Sequence, residues 1–292
     1  MSHRTISQNT KQILAKYKLG LKKSLGQNFL TDDRVLERIV DAADLDEQAG
    51  VIEIGPGIGA LTERLSERAK KVVAVELDQR LIPVLREIFE KQSNIEVIHG
   101  DALKVDFHEI ISENFGECNS IHVVANLPYY VTSPILIRLL EERLPLQNIV
   151  IMIQKEVADR LVAKPGTKDY GSLSVLVQYY TETSLVTKVP SHVFVPRPNV
   201  DSAVVKLSRR PEPAVNVSNE GLFFKIVRAS FAQRRKTLLN TLHSQLFSHL
   251  AKTDVAEFLT QAGIDPQRRG ETLHLAEFAV LTEAWERFSQ GR

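Results

Sequence analysis

The sequence is short of cysteine, of aromatic residues and of long apolar stretches, and each shortage removes a class of protein. Its one cysteine, Cys118, excludes an intramolecular disulfide framework and any zinc site built on several thiolates. No apolar run approaches the ~20 residues needed to cross a bilayer, and the start lacks the apolar core of a signal peptide. These absences predict a chain working in a reducing, cytoplasmic setting, with no membrane anchor and no bound metal. Acid is missing from Ser2 to Thr31, where six basic residues stand: Arg4, Lys11, Lys16, Lys18, Lys22 and Lys23. One Arg and few Ser make this segment a poor transit peptide. The net charge is only +1, so the basic residues are unevenly spread, with further clusters at Arg234-Arg235-Lys236 and Arg268-Arg269. Such patches predict contact with a polyanion through one face, against the alternative of an ordinary solvated surface.

What remains is an ordinary globular composition, 43% hydrophobic and 25% charged over 292 residues. That length suits one full α/β domain and a smaller second one. Compact apolar runs at 51–54, 71–75, 95–99, 121–125 and 149–153 read as parallel strands buried on both faces. Amphipathic stretches such as 61–69 and 81–91 separate them, which predicts a doubly wound parallel sheet. Two later runs, 173–180 and 203–207, are also strand-like and predict an antiparallel pair closing the sheet. Arg210-Pro-Glu-Pro213 reads as a linker. Beyond it Leu222, Phe223, Ile226, Val227, Ser230 and Phe231 recur at helical spacing, and 255–259 and 278–285 look helical. The predicted domains are therefore 1–210, with a basic extension over 1–31, and an all-helical 211–292.

The first block with chemical content is Val51-Ile-Glu-Ile-Gly-Pro-Gly-Ile-Gly-Ala-Leu-Thr62. A strand runs into Gly55, Gly57 and Gly59 and then into a helix, which lets the backbone approach a ligand at the carboxyl edge of the sheet. Glu76 ends the next strand, where a carboxylate can accept both hydroxyl hydrogens of a ribose. Gly55, Gly57 and Ala60 also satisfy a relaxed dinucleotide fingerprint, so this block leaves a nicotinamide enzyme and a methyltransferase equally open. Asp101 ends the third strand and could accept from an adenine amine, although a lone loop Asp is more often a turn or cap.

Asn126-Leu-Pro-Tyr129 follows the fourth strand on the same sheet edge and separates the two. The lone pair of an aromatic exocyclic amine is delocalised into its ring, so such an amine is a poor nucleophile. A catalyst must accept its hydrogens and let the nitrogen become tetrahedral. The Asn126 side-chain carbonyl and the Leu127 main-chain carbonyl can do so. Pro128 stiffens the turn and Tyr129 can stack on the base. An activated methyl on a sulfonium needs neither metal nor covalent intermediate.

Lys23-Ser-Leu-Gly-Gln-Asn-Phe-Leu30, the glycine loop, Glu76-Leu-Asp78, Gly100-Asp101, Asn126–Tyr129 and Phe194–Ser202 occur in the order found in the rRNA adenine dimethyltransferase family, which this chain closely resembles. The likeness extends to a basic helix at 228–240. It is strongest to the branch that modifies two adjacent adenosines near the 3′ end of 16S rRNA. The resemblance implies a Rossmann-like class I S-adenosylmethionine-dependent methyltransferase sheet with a smaller C-terminal all-helical domain that binds RNA. It also implies 16S rRNA, or the immature 30S subunit, as partner of a monomeric enzyme. Carried over position by position, it makes Gln27, Asn28, Leu30, Gly55, Gly57, Glu76, Asp101 and Asn126 cofactor contacts. Asn126, Leu127, Pro128 and Tyr129 become the catalytic turn, with Phe194 packing on the target base opposite Tyr129 or lying in the core. Lys22, Lys23, Arg228, Arg234, Arg235 and Lys236 become RNA contacts. The family often has Pro where Leu127 stands, but only the main-chain carbonyl is needed there. The competing readings are a macrolide-resistance methyltransferase of large-subunit rRNA, a non-catalytic nucleic-acid-binding factor on the same fold, and a nicotinamide oxidoreductase.

Overall fold

The computed structural model describes residues 5–20 and 26–290. The chain divides into two compact units. The first runs to Ala158 and returns for Thr183–Arg209; the second takes Asp159–Glu182 and everything from Arg210 onward.

The first unit opens with α1 (Ile6–Lys16), β1 (Phe29–Leu30) and α2 (Asp33–Ala42). Strands and helices then alternate: β2 (Ala49–Ile54), α3 (Ala60–Ser66), β3 (Lys71–Glu76), α4 (Ile82–Ile88), β4 (Ile95–His99) and α5 (Phe107–Asn114). The alternation continues through β5 (Ser120–Asn126), α6 (Thr132–Glu141) and β6 (Asn148–Gln154). After α7 (Lys155–Leu161) and α8 (Ser172–Tyr180) come β7 (Thr181–Val189), β8 (Phe194–Val195) and β9 (Ser202–Arg209).

Seven strands form one sheet in the order β4-β3-β2-β5-β6-β9-β7. The first five are mutually parallel and β9 runs antiparallel to β6. The order reverses between β2 and β5, the switch point at whose carboxyl edge open α/β sheets bind ligands. Central β2 is buried along its whole length, as its apolar run predicts. Edge strand β4 buries only Val97 fully, because one side of it has no neighbour. Asp32 starts α2 by accepting the amides of Arg34 and Val35 at 2.9 and 3.2 Å, a cap of about 1 kcal/mol.

The basic N-terminal extension is not a free tail over its described part. Helix α1 is fixed to α3 and to the start of α2, with the Ile6 amide donating to Glu63 Oε2 at 3.0 Å. Gln8 donates to Asp33 at 2.8 Å and the Ser7 hydroxyl bonds the same carboxylate.

The second unit gathers α8 with α9 (Glu220–Phe231), α10 (Leu238–Gln245), α11 (Lys252–Gln261) and α12 (Leu275–Gln290). Its core is aromatic. Tyr179 lies 5.0 Å from Phe223, Tyr180 stacks on Phe224 at 5.8 Å, and Tyr170 meets Phe231 edge-on at 5.7 Å. This packing draws 159–182 into the helical unit, where a boundary at residue 210 leaves it in the first domain.

The same packing corrects the strand predicted over 173–180, which is helix α8. A continuous apolar run of that length fits a buried helix as well as a strand. On a strand, adjacent Tyr179 and Tyr180 would face opposite sides; on a helix both pack against Phe224. The strand partner of β9 is instead β7, the next segment along. The basic helix over 228–240 is also two helices, because α9 stops at Phe231 and Thr237 caps α10.

Candidate active site

The carboxyl edge of the sheet opens into a cavity of about 340 Å³, within the size range of small-molecule sites. Besides Leu36 and Ile39 of α2, five separate stretches of sequence line it. They are the segment from Gly26 to Leu30, the glycine loop after β2, the end of β3, the loop after β4 and the turn after β5. Gln27, Asn28, Leu30, Gly55, Gly57, Glu76, Asp101 and Asn126 all lie on its wall.

Gly55 and Gly57 hold φ of +70° and +60°, a region that side chains rarely adopt. A Cβ at Gly57 would also come within 2.8 Å of the Phe29 ring, so glycine lets the covering segment settle on the loop. At Gly55 a Cβ would meet nothing closer than the Asn126 main-chain oxygen at 3.9 Å, leaving bare backbone facing a ligand.

Glu76 is almost fully buried. One carboxylate oxygen accepts the Gly57 amide at 3.2 Å and the other the Asp78 amide at 2.7 Å. Burial pushes its carboxyl above the usual range, and those two amides pull it back. Each oxygen keeps a lone pair for a further donor, which suits two vicinal hydroxyls. Asp101 accepts the Leu103 amide at 2.9 Å, so the predicted ligand is also a turn former. Gln27 donates to Asp78 at 3.0 Å, and Asp78 is gripped by Arg80 through bonds of 2.9 and 2.6 Å. Arg80 holds the Asp78 carboxyl down at about 2.

Asn126 ends β5 and donates its side-chain amide to the Asn28 carbonyl at 3.1 Å. Its side-chain oxygen is left as the acceptor. Leu127 is buried, with its amide on Met152 O at 3.1 Å, and Pro128 O accepts from Thr132 at 3.1 Å, so the turn is tied at both ends. Tyr129 is half-buried against the cavity and its hydroxyl meets Ser202 at 2.9 Å. Phe194 does not line the cavity. It is 3% exposed in the hydrophobic core, on β8, which pairs with β1 through Leu30 and Phe194. Of the two expected places for Phe194, on the target base or in the core, the structure has it in the core.

Several residues that shape the site escaped the sequence reading. Glu53 stands inside the quoted glycine motif, 1% exposed, bonded by the Thr62 hydroxyl at 2.5 Å and pushed by burial up to about 8. Its position in a buried strand was the available signal. Exposed Leu77 and Leu103 flank the Asp101 side of the cavity. Arg138 on α6 donates to Ala102 O at 2.9 Å and Val105 O at 2.5 Å, clamping the loop that carries Asp101. Nothing in the sequence marks Arg138.

The predicted RNA contacts behave unequally. Lys22 and Lys23 lie outside the described residues. Arg228, Arg235 and Lys236 are exposed, and Lys225 joins Arg228 on α9 at a spacing of three. Arg234, however, spends its guanidinium on Lys168 O and Tyr170 O at 2.5 and 2.6 Å, which makes it a clamp within its own unit. Arg268 likewise pairs with Glu277.

A largely parallel sheet reversing at β2/β5, with a buried carboxylate and an amide-bearing turn on one cavity, is the arrangement of a Rossmann-like S-adenosylmethionine-dependent methyltransferase, and the comparisons with known proteins place the chain in that class. The family model for ribosomal RNA adenine dimethylase matches residues 19–281, and the chain belongs to that family. It is 60% identical over 275 residues to the ribosomal RNA small subunit methyltransferase A of Anoxybacillus flavithermus, covering 94% of this chain and 93% of the relative. The enzyme of the same name from Bacillus mycoides is 59% identical, with 94% of each chain covered. Among solved structures, a dimethyladenosine transferase from Plasmodium falciparum superposes with a TM-score of 0.73 at 27% identity, over 89% of this chain and 98% of that one. The 23S rRNA methyltransferase ErmE gives 0.66 at 28%, over 88% and 99%. Among the described residues no helix is long and apolar enough to cross a membrane, and no cluster of three or more His, Cys, Asp or Glu could hold a metal ion.

Proposed function

We propose that this enzyme transfers methyl groups from S-adenosylmethionine to N6 of two adjacent adenosines in the 3′-terminal hairpin of small-subunit rRNA, giving N6,N6-dimethyladenosine. The observation that carries this reading is the convergence of Glu76, Asp101 and Asn126, from three strand ends, on one cavity. The chain's high identity to small subunit methyltransferases supports the choice of rRNA.

The cofactor, when bound, supplies an electrophilic methyl group on a sulfonium centre. Glu76 would hold the ribose hydroxyls and Asp101 the adenine amine, with Leu77 and Leu103 offering apolar surface to the adenine. Gly55 presents bare backbone, while Gln27, Asn28 and Leu30 cover the methionine end, braced through Asp78 and Arg80. Asn126 Oδ1 and the Leu127 carbonyl accept the target amine's hydrogens, which localises its lone pair toward the methyl group as the nitrogen turns tetrahedral. Tyr129, anchored through Ser202, supports the base from below. Lys225, Arg228, Arg235 and Lys236 bind rRNA phosphates in the helical unit, and Lys22 and Lys23 are RNA contacts of the N-terminal segment.

Tritiated-methyl transfer tests this reading with three acceptors: immature small-subunit particles, large-subunit rRNA and no RNA. Incorporation confined to the small-subunit particles, recovered as dimethyladenosine from adjacent sites, is the expected result. Incorporation into large-subunit rRNA would transfer the enzyme to the macrolide-resistance type. No incorporation, with tight RNA binding retained, would make it a binding factor.

A further inference from the structure

Among the described residues, Leu77, Leu103 and Tyr130 are large apolar side chains that stand exposed while lining the active-site cavity. Leu77 and Leu103 lie on the side assigned above to the cofactor's adenine. Tyr130 follows the catalytic turn directly and is 54% exposed. Its neighbour Tyr129 is anchored through its hydroxyl at 2.9 Å, whereas the Tyr130 hydroxyl makes no hydrogen bond among the described residues. Gly26, held at φ +60°, borders the ring; a Cβ there would lie 3.5 Å from Tyr130 Cδ1. The Gly26 main chain therefore lies beside one edge of the ring while over half of the residue meets solvent. Exposing that much aromatic surface at the mouth of a site has a cost unless a ligand covers it.

We infer that Tyr130 is the stacking platform for the base that flanks the target adenine, a second base subsite beside the catalytic turn. This rests on the reading of 126–129 as the turn that receives the target. A base drawn onto Tyr129 leaves its chain neighbour unstacked, and the next residue in the turn offers a π-face at the mouth through which the strand must enter. Because the strand enters with one polarity, the subsite takes the neighbour on the same side of each target, so it reads a π-face and not the identity of one base. Stacking tolerates the methyl groups that the first reaction adds, because it reads the ring face and leaves the amine edge free.

The test compares Tyr130→Ala, Tyr130→Phe and the wild-type enzyme in steady-state methylation of immature small-subunit particles, with cofactor affinity measured separately by calorimetry. Loss of one base–aromatic stack raises KM for particles roughly 10- to 100-fold in Tyr130→Ala. The expected pattern adds an unchanged cofactor Kd, a turnover at saturating particles close to wild type, and near-complete rescue in Tyr130→Phe. An unchanged particle KM in Tyr130→Ala overturns the inference. So does a weakened cofactor Kd at normal particle KM, which would make Tyr130 a prop for the segment beginning at Gly26. A Phe variant as poor as the Ala variant also overturns it, since the hydroxyl would then carry the effect. Asn126→Ala run alongside separates this from the reading beneath it: a normal rate there sinks the catalytic turn itself, whatever Tyr130 does.

Discussion

Asn126 and Asn28, 98 positions apart in sequence, are joined by a single hydrogen bond of 3.1 Å from side-chain amide to main-chain carbonyl. That bond decides which end of the Asn126 amide is left for the substrate. With its N–H committed, the oxygen is the available acceptor, the polarity that an attacking amine requires. Asn126→Ala should therefore cut the single-turnover rate by roughly 10²–10³, the scale of losing one oriented transition-state partner, with little change in RNA affinity. A rapid-quench time course on small-subunit particles, resolving mono- and dimethyladenosine, provides the measurement. The second methylation should suffer more, because monomethyladenine offers one hydrogen where adenine offers two. A near-normal rate would make the turn structural.

Glu76 should govern the cofactor. Its two oxygens are already ordered by the Gly57 and Asp78 amides, so the carboxylate is preorganised for hydroxyl donors. Each charge-assisted bond removed in Glu76→Ala should cost about 1.5–3 kcal/mol of S-adenosylmethionine affinity in a protein that stays folded. Calorimetry that finds wild-type affinity would remove Glu76 from the site.

Arg138 should act on the cofactor without touching it. Its guanidinium holds two carbonyls of the Asp101 loop and lies 5.0 Å from the Phe107 ring centre. Arg138→Met keeps much of the side-chain length but leaves both carbonyls without that donor. KM for S-adenosylmethionine should rise about 10-fold, equivalent to about 1.4 kcal/mol, with turnover and KM for particles near wild type. An equal change in every kinetic constant would mean general destabilisation instead.

Glu53 should give the cofactor-free protein a pH-dependent stability. Burial raises its carboxyl from 4.5 to about 8, and the Thr62 hydroxyl offsets part of that rise. The folded chain thus holds this proton more tightly than the unfolded one does. The associated stability is fully present below about pH 4.5 and is lost as pH rises through about 8. Glu53→Gln keeps an acceptor for Thr62 and removes the titration. Urea denaturation from pH 5 to 9 should show the variant gaining on the wild type as pH rises. Parallel curves would clear Glu53 of the effect.

The basic cluster should split in two. Reversing the charge of Arg235 and Lys236 should lower the salt slope of particle binding by ~0.7–0.9 for each phosphate no longer neutralised. Arg234→Ala should instead lower the melting temperature, because it releases the carbonyls of Lys168 and Tyr170. If reversal leaves the slope untouched, Arg235 and Lys236 are a solvated surface.

What the sequence determined by itself is what local pattern encodes. Uninterrupted apolar runs marked β2, β3, β5 and β6 as strands buried on both faces, and the ends of β2, β3 and β5 reach one cavity. Glu76, Asp101 and Asn126 could be read because parallel strands deliver their last residues to the same sheet edge. Tertiary structure decided everything that depends on a distant partner. The run at 173–180 became a helix because an aromatic core needed Tyr179 and Tyr180 on compatible sides. Phe194 went to the core because β8 pairs with β1, and Arg234 became a clamp because two carbonyls stood within its reach. Glu53 and Arg138 acquired roles only when folding set Thr62 beside one and the Asp101 loop beside the other. Period and propensity specify the form of each segment, but the partner of a charged or aromatic side chain is chosen by geometry that exists only once the segments have packed.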